Sequence, residues 1–164
     1  MVTQADHRPA RWALLSYRMP REPSTPRIAV WRKLKRLGAE HIGDGLVALP
    51  DDPRNREHLE WIAADVMAAD GEAAVWAATT DTATSTALAE RMQAARELEY
   101  QQLLEEIATV AEPDADIETR TLRRLRRAFR AIERRDHFRA PSRDRVRLAL
   151  DELGTETGRL AAST

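Results

Sequence analysis

The sequence predicts an α+β fold, in which a lobe of alternating strands and helices precedes a helical extension. Three observations support this prediction. Short apolar runs alternate with amphipathic segments up to about residue 79, and longer segments with apolar residues three or four positions apart follow from residue 88. Prolines and glycines separate these segments. A chain of 164 residues suffices for one domain or two small lobes.

The first lobe begins with a strand and a helix. The strand covers residues 12–17, and the helix is expected to have Ser24 as its N-cap with Pro26 at its first helical position. Gly38 is a typical helix end. Apolar residues three positions apart predict the buried face of this helix, which is expected to consist of Ile28, Trp31, Leu34 and Leu37.

A hairpin, a second helix and a last strand complete this lobe. Two short apolar stretches flank a Gly-Asp-Gly turn at residues 43–45, which is typical of a β-hairpin. Asp52-Pro53 starts the second helix, which ends by Gly71, and residues 73–78 form the last strand. The resulting order β-α-β-β-α-β predicts a ferredoxin-like antiparallel sheet with both helices on one face.

The second half of the chain is predicted to be helical. Residues 81–86 form a polar linker, and helices follow at 88–111, at 117–136 and from Pro141-Ser142 to a frayed end at Gly154 and Gly158. The middle helix carries an apolar seam with helix-packing spacing, formed by Leu122, Leu125, Phe129 and Ile132. We therefore predict two domains, a ferredoxin-like lobe at 10–80 and a helical extension at 86–164.

Charge is distributed unevenly along the chain, although the formal net charge is only -1. Residues 1–36 carry +7 and residues 120–147 carry +9, whereas residues 37–119 carry -15. Of the 26 basic residues, 24 are arginines, whose guanidinium groups suit contacts with phosphates, oxyanions or carboxylates. Two basic segments therefore flank an acidic middle, and the position of the charge indicates more than its total.

Two basic clusters are candidate nucleic-acid-binding sites. The cluster on the first helix consists of Arg27, Arg32, Lys33, Lys35 and Arg36. The cluster on helix 117–136 consists of Arg123, Arg124, Arg127, Arg130 and Arg134, with Arg120, Arg126 and Arg135 on the same helix. Alternatively, the first cluster is an ordinary solvated helix face, and the second pairs with glutamates of the preceding helix. The sequence leaves these alternatives open.

Other residues give weaker signals. Arg18, Arg21 and Arg32 are a candidate oxyanion site if the first strand end meets the first helix. The tryptophans Trp12, Trp31, Trp61 and Trp76 are expected in the core, with base stacking as the alternative. The histidines His7, His41, His58 and His137 lack the spacing of a metal site. The sequence contains neither a catalytic constellation nor a phosphate loop, so we expect no enzyme, no metal and no cofactor.

Three stretches of the sequence are distinctive: Trp12-x-Leu-Leu-x-Tyr17, Val30-Trp-Arg-Lys-Leu-Lys-Arg-Leu-Gly38 and Gly45-Leu-Val-Ala-Leu-Pro50. Together they resemble the N-terminal domain of ChrB, the bacterial chromate-resistance regulator family. The resemblance implies transcriptional control in chromate resistance through DNA binding. ChrB proteins usually continue into a second, C-terminal domain, so this chain is expected to be a stand-alone version or an excised domain.

The sequence thus supports three hypotheses about function. The first is a ChrB-like, DNA-binding regulatory module linked to chromate resistance. The second is a non-enzymatic homodimeric interaction module, in which the ferredoxin-like sheets of two copies pair or the helical seam docks a partner helix. The third is a domain that senses chromate or another oxyanion. The sequence shows neither a signal peptide nor an apolar run long enough to cross a bilayer, so we expect a cytoplasmic protein without a membrane partner.

Overall fold

The computed structural model describes residues 11–111 and 119–162, with side chains up to Thr155. This part of the chain contains a four-stranded antiparallel sheet and five helices, so the predicted α+β class is confirmed. In chain order the elements are β1 (Arg11–Arg18), α1 (Ser24–Leu37), β2 (Glu40–Gly43), β3 (Leu46–Pro50), α2 (Pro53–Ala68), β4 (Glu72–Thr79), α3 (Thr82–Val110), α4 (Thr119–Glu133) and α5 (Arg143–Ala162).

The sheet has the strand order β2-β3-β1-β4, so β1 lies inside and β4 at one edge. On β1, Leu15 lies between Val47 of β3 and Val75 of β4. Side chains alternate between the two faces of a strand, so Leu15, Val47 and Val75 share one face. The core on this face also includes fully buried Ala13 and Leu49.

The turn between β2 and β3 requires glycine. Gly45 has a φ of 66°, and a β-carbon there would overlap the carbonyl oxygen of Tyr17. The backbone nitrogen of Tyr17 donates a hydrogen bond to the oxygen of Gly45 at 2.7 Å. The two strands pair antiparallel, so the predicted hairpin is confirmed.

The first helix differs from the prediction at its start and in its buried face. Ser24 already belongs to α1, Pro23 is the N-cap, and no side chain caps this end. The buried residues are Val30 and Leu34, four positions apart, whereas Ile28 and Trp31 are 44% and 47% exposed. The prediction was therefore correct for Leu34 and missed Val30, because spacing by three drifts around a helix whose turn takes 3.6 residues.

The second helix starts where the sequence predicts. Asp52 is its N-cap, Pro53 follows it, and an Asp52 carboxylate oxygen accepts a hydrogen bond from the backbone nitrogen of Asn55 at 2.8 Å. The Asn55 side chain donates a further hydrogen bond to the Pro50 oxygen at 2.9 Å. These contacts connect the end of β3 to α2.

The predicted linker at 81–86 is wrong, because α3 begins at Thr82. Asp81 accepts hydrogen bonds from the backbone nitrogen and the hydroxyl of Thr84, each at 2.8 Å. The polar residues therefore cap a helix instead of forming a loop. The chain divides into two compact units between Met92 and Gln93, inside this helix.

The second unit buries the predicted seam of α4 in its own core. Seam residues such as Leu125 and Phe129 pack in one cluster with Tyr100 and Leu103 of α3 and with Leu150 of α5. The idea that this seam docks a partner helix is therefore wrong. Helix α5 also continues through Gly154 and Gly158, so the predicted fraying there is not observed.

Candidate nucleic-acid interface

Five exposed arginines lie along one face of α4 and its end: Arg120, Arg123, Arg127 and Arg130 within the helix, and Arg134 directly after it. We call this face the arginine stripe. Its residues follow one another at spacings of three and four, which places them on one side of a helix over about 21 Å. The opposite side carries the buried seam of Leu122, Leu125, Phe129 and Ile132. The burial of the seam directs the stripe toward solvent.

Acidic residues of α3 contact α4 only beside the stripe, within the described parts of the chain. Arg124 lies 2.5 Å from Glu106, and Arg135 pairs with Glu99, which also pairs with Arg96 at 2.8 Å. Both arginines lie outside the stripe, Arg124 in α4 and Arg135 just after its end. The alternative of intramolecular pairing therefore holds for Arg124 and Arg135. The stripe residues Arg123, Arg127, Arg130 and Arg134 have no acidic partner among the described residues.

Repulsion between the arginines of the stripe does not stabilise α4 as an isolated helix. Like charges three or four residues apart on a helix destabilise it by about 0.2–0.5 kcal/mol per pair. Arg123 and Arg127 form one such pair, and Arg130 and Arg134 form another. A line of guanidinium groups without acidic partners in the described part of the chain is suited to an anionic partner with regularly spaced charges.

The basic residues of α1 are partly engaged already. Lys33 pairs with Asp65 of α2, and the Lys35 ammonium lies over the Trp31 ring, 4.7 Å from its centre. Arg27 donates a hydrogen bond to the backbone oxygen of Arg21 at 3.3 Å. Two exposed members of this cluster, Arg32 and Arg36, have no ion pair within the described ranges.

The three arginines of the candidate oxyanion site lie along different surfaces. Arg18 lines a cleft of about 550 Å³ at the end of β1, together with Asp44 and Glu72. Arg21 lines a different cleft, of about 930 Å³. Arg32 is exposed on α1 and lines neither of these two clefts. Neither cleft brings the three side chains together, and the acids beside Arg18 oppose anion binding there.

Three of the four tryptophans are exposed, so the expectation that all four lie in the core is wrong. Only Trp12 is buried, and its indole nitrogen donates to the hydroxyl of Ser85 at 3.1 Å. Trp61 is 59% exposed, and Trp76 is 56% exposed with its indole nitrogen donating to Ser16 at 2.8 Å. An aromatic residue in an amphipathic segment gives little information about which side it occupies.

Trp61 borders a groove of about 260 Å³ between α1 and α2. The ring of His58 meets Trp61 edge to face at 5.5 Å, and Ile62 and Leu37 also line the groove. Arg36 provides a cation at its rim. The groove therefore places an apolar surface next to Arg36, which has no ion pair within the described residues. The spacing of apolar residues in the sequence did not predict this surface.

The family model described as Protein ChrB, N-terminal, matches residues 27–162, which include the α1 cluster and the arginine stripe. The chain belongs to the ChrB N-terminal family. The resemblance stated from the sequence is thus confirmed. Protein ChrB of Cupriavidus metallidurans is 33% identical to this chain over 132 residues, which are 77% of this chain and 40% of that protein. No solved structure matches this chain.

The chain spans less than half the length of this curated ChrB relative. Within the described residues of the ChrB-family chain, no group of three or more histidine or acidic side chains could hold a metal ion. His7 lies outside the described residues. No described helix combines the length and the apolar composition that a membrane span requires.

Polar contacts join α3 to the segment that follows α4. The buried Tyr100 hydroxyl donates to Asp136 at 3.2 Å, and Asp136 also accepts from the backbone nitrogen of Ala140. Burial, followed by the nearby Asp136 carboxylate, raises the pKa of Tyr100 above its usual range. These contacts fix the segment that follows α4 against α3.

Proposed function

We propose that this chain is a DNA-binding regulatory module in chromate resistance, which contacts DNA phosphates through the arginine stripe. In this proposal a ferredoxin-like lobe carries a helical extension that presents the stripe, and the protein acts in the cytoplasm. The observation that supports it is the absence of acidic partners along Arg123, Arg127, Arg130 and Arg134 in the described chain. Membership of the ChrB family supports the regulatory role.

The physical argument concerns counterions. Duplex DNA carries a dense row of phosphates with condensed cations, and a protein that neutralises phosphates releases these cations. Free arginines along about 21 Å of one helix can neutralise several phosphates at once. Arginines already bound to carboxylates, such as Arg124 with Glu106, would first have to lose that partner.

The test is a salt titration of DNA binding. Fluorescence anisotropy with duplex DNA from the promoter of its own gene gives the dissociation constant at several salt concentrations. Each phosphate contact contributes about 0.9 to the slope of log affinity against log salt. Replacing Arg123, Arg127 and Arg130 by glutamine is expected to reduce the magnitude of this slope by about 2.7.

A matched control removes the same charge elsewhere in the same unit. Arg139, Arg145 and Arg147 are exposed residues outside α4, and their replacement by glutamine changes the net charge equally. We expect this control variant to keep nearly the full slope. Equal losses in both variants would mean that binding depends on total charge, and the absence of binding at low salt would refute the proposed function.

A further inference from the structure

The two edges of the sheet differ in how well they are protected from pairing with another strand. Strand β2 has four residues and an irregularity between His41 and Gly43, and Arg91 contacts its residue Glu40 at 2.9 Å. Strand β4 has eight residues, all paired with β1 in an uninterrupted register. Short length, irregularities and charge are the usual means of preventing edge-to-edge pairing.

The outer edge of β4 has none of these protections in the described structure. The strand lies last in the sheet order, so the backbone groups on its outer side have no neighbouring strand. Its sequence, Glu-Ala-Ala-Val-Trp-Ala-Ala-Thr, contains no proline or lysine, and its only charge is at Glu72. Such an edge is a template for adding a further strand.

Exposed apolar side chains lie on both sides of this edge. Trp76 is 56% exposed on the sheet face that also carries Leu14. On the helical side, α2 packs against β4, and Met67 is 54% exposed. The ion pair between Asp65 and Lys33 shows that Asp65 lies on the side of α2 that faces α1. Met67, two residues later, lies about 200° further around the helix. Met67 therefore lies on the flank of α2 away from α1.

We propose that β4 pairs antiparallel with β4 of a second copy of this chain, which forms a two-fold symmetric dimer with one continuous sheet. The composition of the strand favours its own copy as the partner. Residues 73–79 carry no charge, and antiparallel pairing keeps the two Glu72 side chains at opposite ends of the paired strands. A two-fold axis near the middle of β4 also brings the exposed Trp76 side chains of the two copies close to each other.

The occupant of the edge could instead be an extended peptide from another protein. Such a peptide requires pockets for alternate side chains next to the edge, whereas β4 presents mainly alanines there. A second copy needs only backbone hydrogen bonds and flat apolar contacts. The test therefore measures the oligomeric state of the chain, which does not depend on whether it binds DNA.

The first experiment is sedimentation of the purified chain at micromolar concentration. We expect a dimer, and a monomer for the Ala77→Lys variant, because two added lysines would face apolar strand residues and repel each other. Ala77 is exposed in the single chain, so we expect the substitution to preserve the fold, which circular dichroism checks. The control His41→Lys adds the same charge at the protected edge and should remain dimeric.

Introduced cysteines test the position of the two-fold axis, and the chain has no native cysteine to interfere. Val75 and Trp76 are at the centre of β4, so under oxidation either Val75→Cys or Trp76→Cys should form a disulfide with its own copy. Thr79→Cys, at the strand end, should not. A monomeric chain, a dimer that survives Ala77→Lys without a central cross-link, or cross-linking at position 79 would each overturn the proposal.

Discussion

Glu97 in α3 accepts two hydrogen bonds from Ser142, one from its backbone nitrogen at 2.8 Å and one from its hydroxyl at 2.6 Å. Ser142 immediately precedes α5, whose first backbone N–H groups have no partner within the helix. A carboxylate 45 residues away in sequence thus satisfies the start of this helix. The contact joins α3 to α5 beside the core that directs the arginine stripe outward.

Removing this carboxylate should destabilise the helical unit. We expect Glu97→Ala to lower the free energy of unfolding by about 1–2 kcal/mol, the usual effect of losing a helix-capping contact. Chemical denaturation followed by circular dichroism measures it. Glu105→Ala is the control, because Glu105 is an exposed acid of the same helix and should change stability by less than about 0.5 kcal/mol. Equal effects of both substitutions would contradict a capping role.

The same contact predicts a dependence of stability on pH. Burial, the largest single effect, raises the pKa of Glu97, but the hydrogen bonds from Ser142 and Gln101 and the nearby Arg145 together lower it below its ordinary value. The stabilisation is therefore complete above the ordinary glutamate pKa and disappears as the pH falls through the lowered value. The stability difference between the native chain and Glu97→Gln should shrink in acid. A constant difference would exclude this linkage.

Two glycines should respond in opposite ways to replacement by alanine. Gly45→Ala should cost at least about 2 kcal/mol, because its positive φ and the Tyr17 carbonyl both exclude a side chain. Gly154→Ala should stabilise α5 by about 0.5–1 kcal/mol, because alanine favours a helix interior. The added β-carbon would lie 2.5 Å from a guanidinium nitrogen of Arg126, the end of a flexible side chain that can shift aside. Thermal unfolding of both variants checks the two signs.

The α1 cluster predicts a graded loss of DNA affinity. Replacing Arg32 and Arg36 by glutamine should reduce the magnitude of the salt slope by up to about 1.8, because both side chains are free to contact phosphates. Lys33→Gln should have little effect, because Lys33 is already paired with Asp65. The same salt titration distinguishes these outcomes. Unchanged binding in the double variant would restrict the DNA contact to the arginine stripe.

Local signals in the sequence allowed much of the fold to be predicted. Asp52-Pro53 identified the start of α2 and the glycines at 43 and 45 identified the hairpin, because each depends on neighbouring residues alone. The seam around Leu125 was recognised from its spacing. Whether it faced the same chain or a partner depended on contacts distant in sequence, which spacing does not encode.

The candidate site was less predictable for the same reason. The sequence placed arginines beside glutamates on successive helices, but only packing decides that Arg124 meets Glu106 while Arg127 faces solvent. The exposure of Trp31 followed from which stripe of α1 is buried, the one that carries Val30 and Leu34. Sequence spacing alone did not identify that stripe.

The unequal exposure of the four tryptophans has a spectroscopic consequence. Native fluorescence will be dominated by the water-relaxed indoles at positions 31, 61 and 76, so emission will be red-shifted before any denaturant is added. A soluble quencher will reach these three rings in the folded state, whereas the ring of Trp12 is enclosed. Trp12 is therefore the natural optical reporter of unfolding, and loss of quencher access at the others reports that their surfaces have been covered.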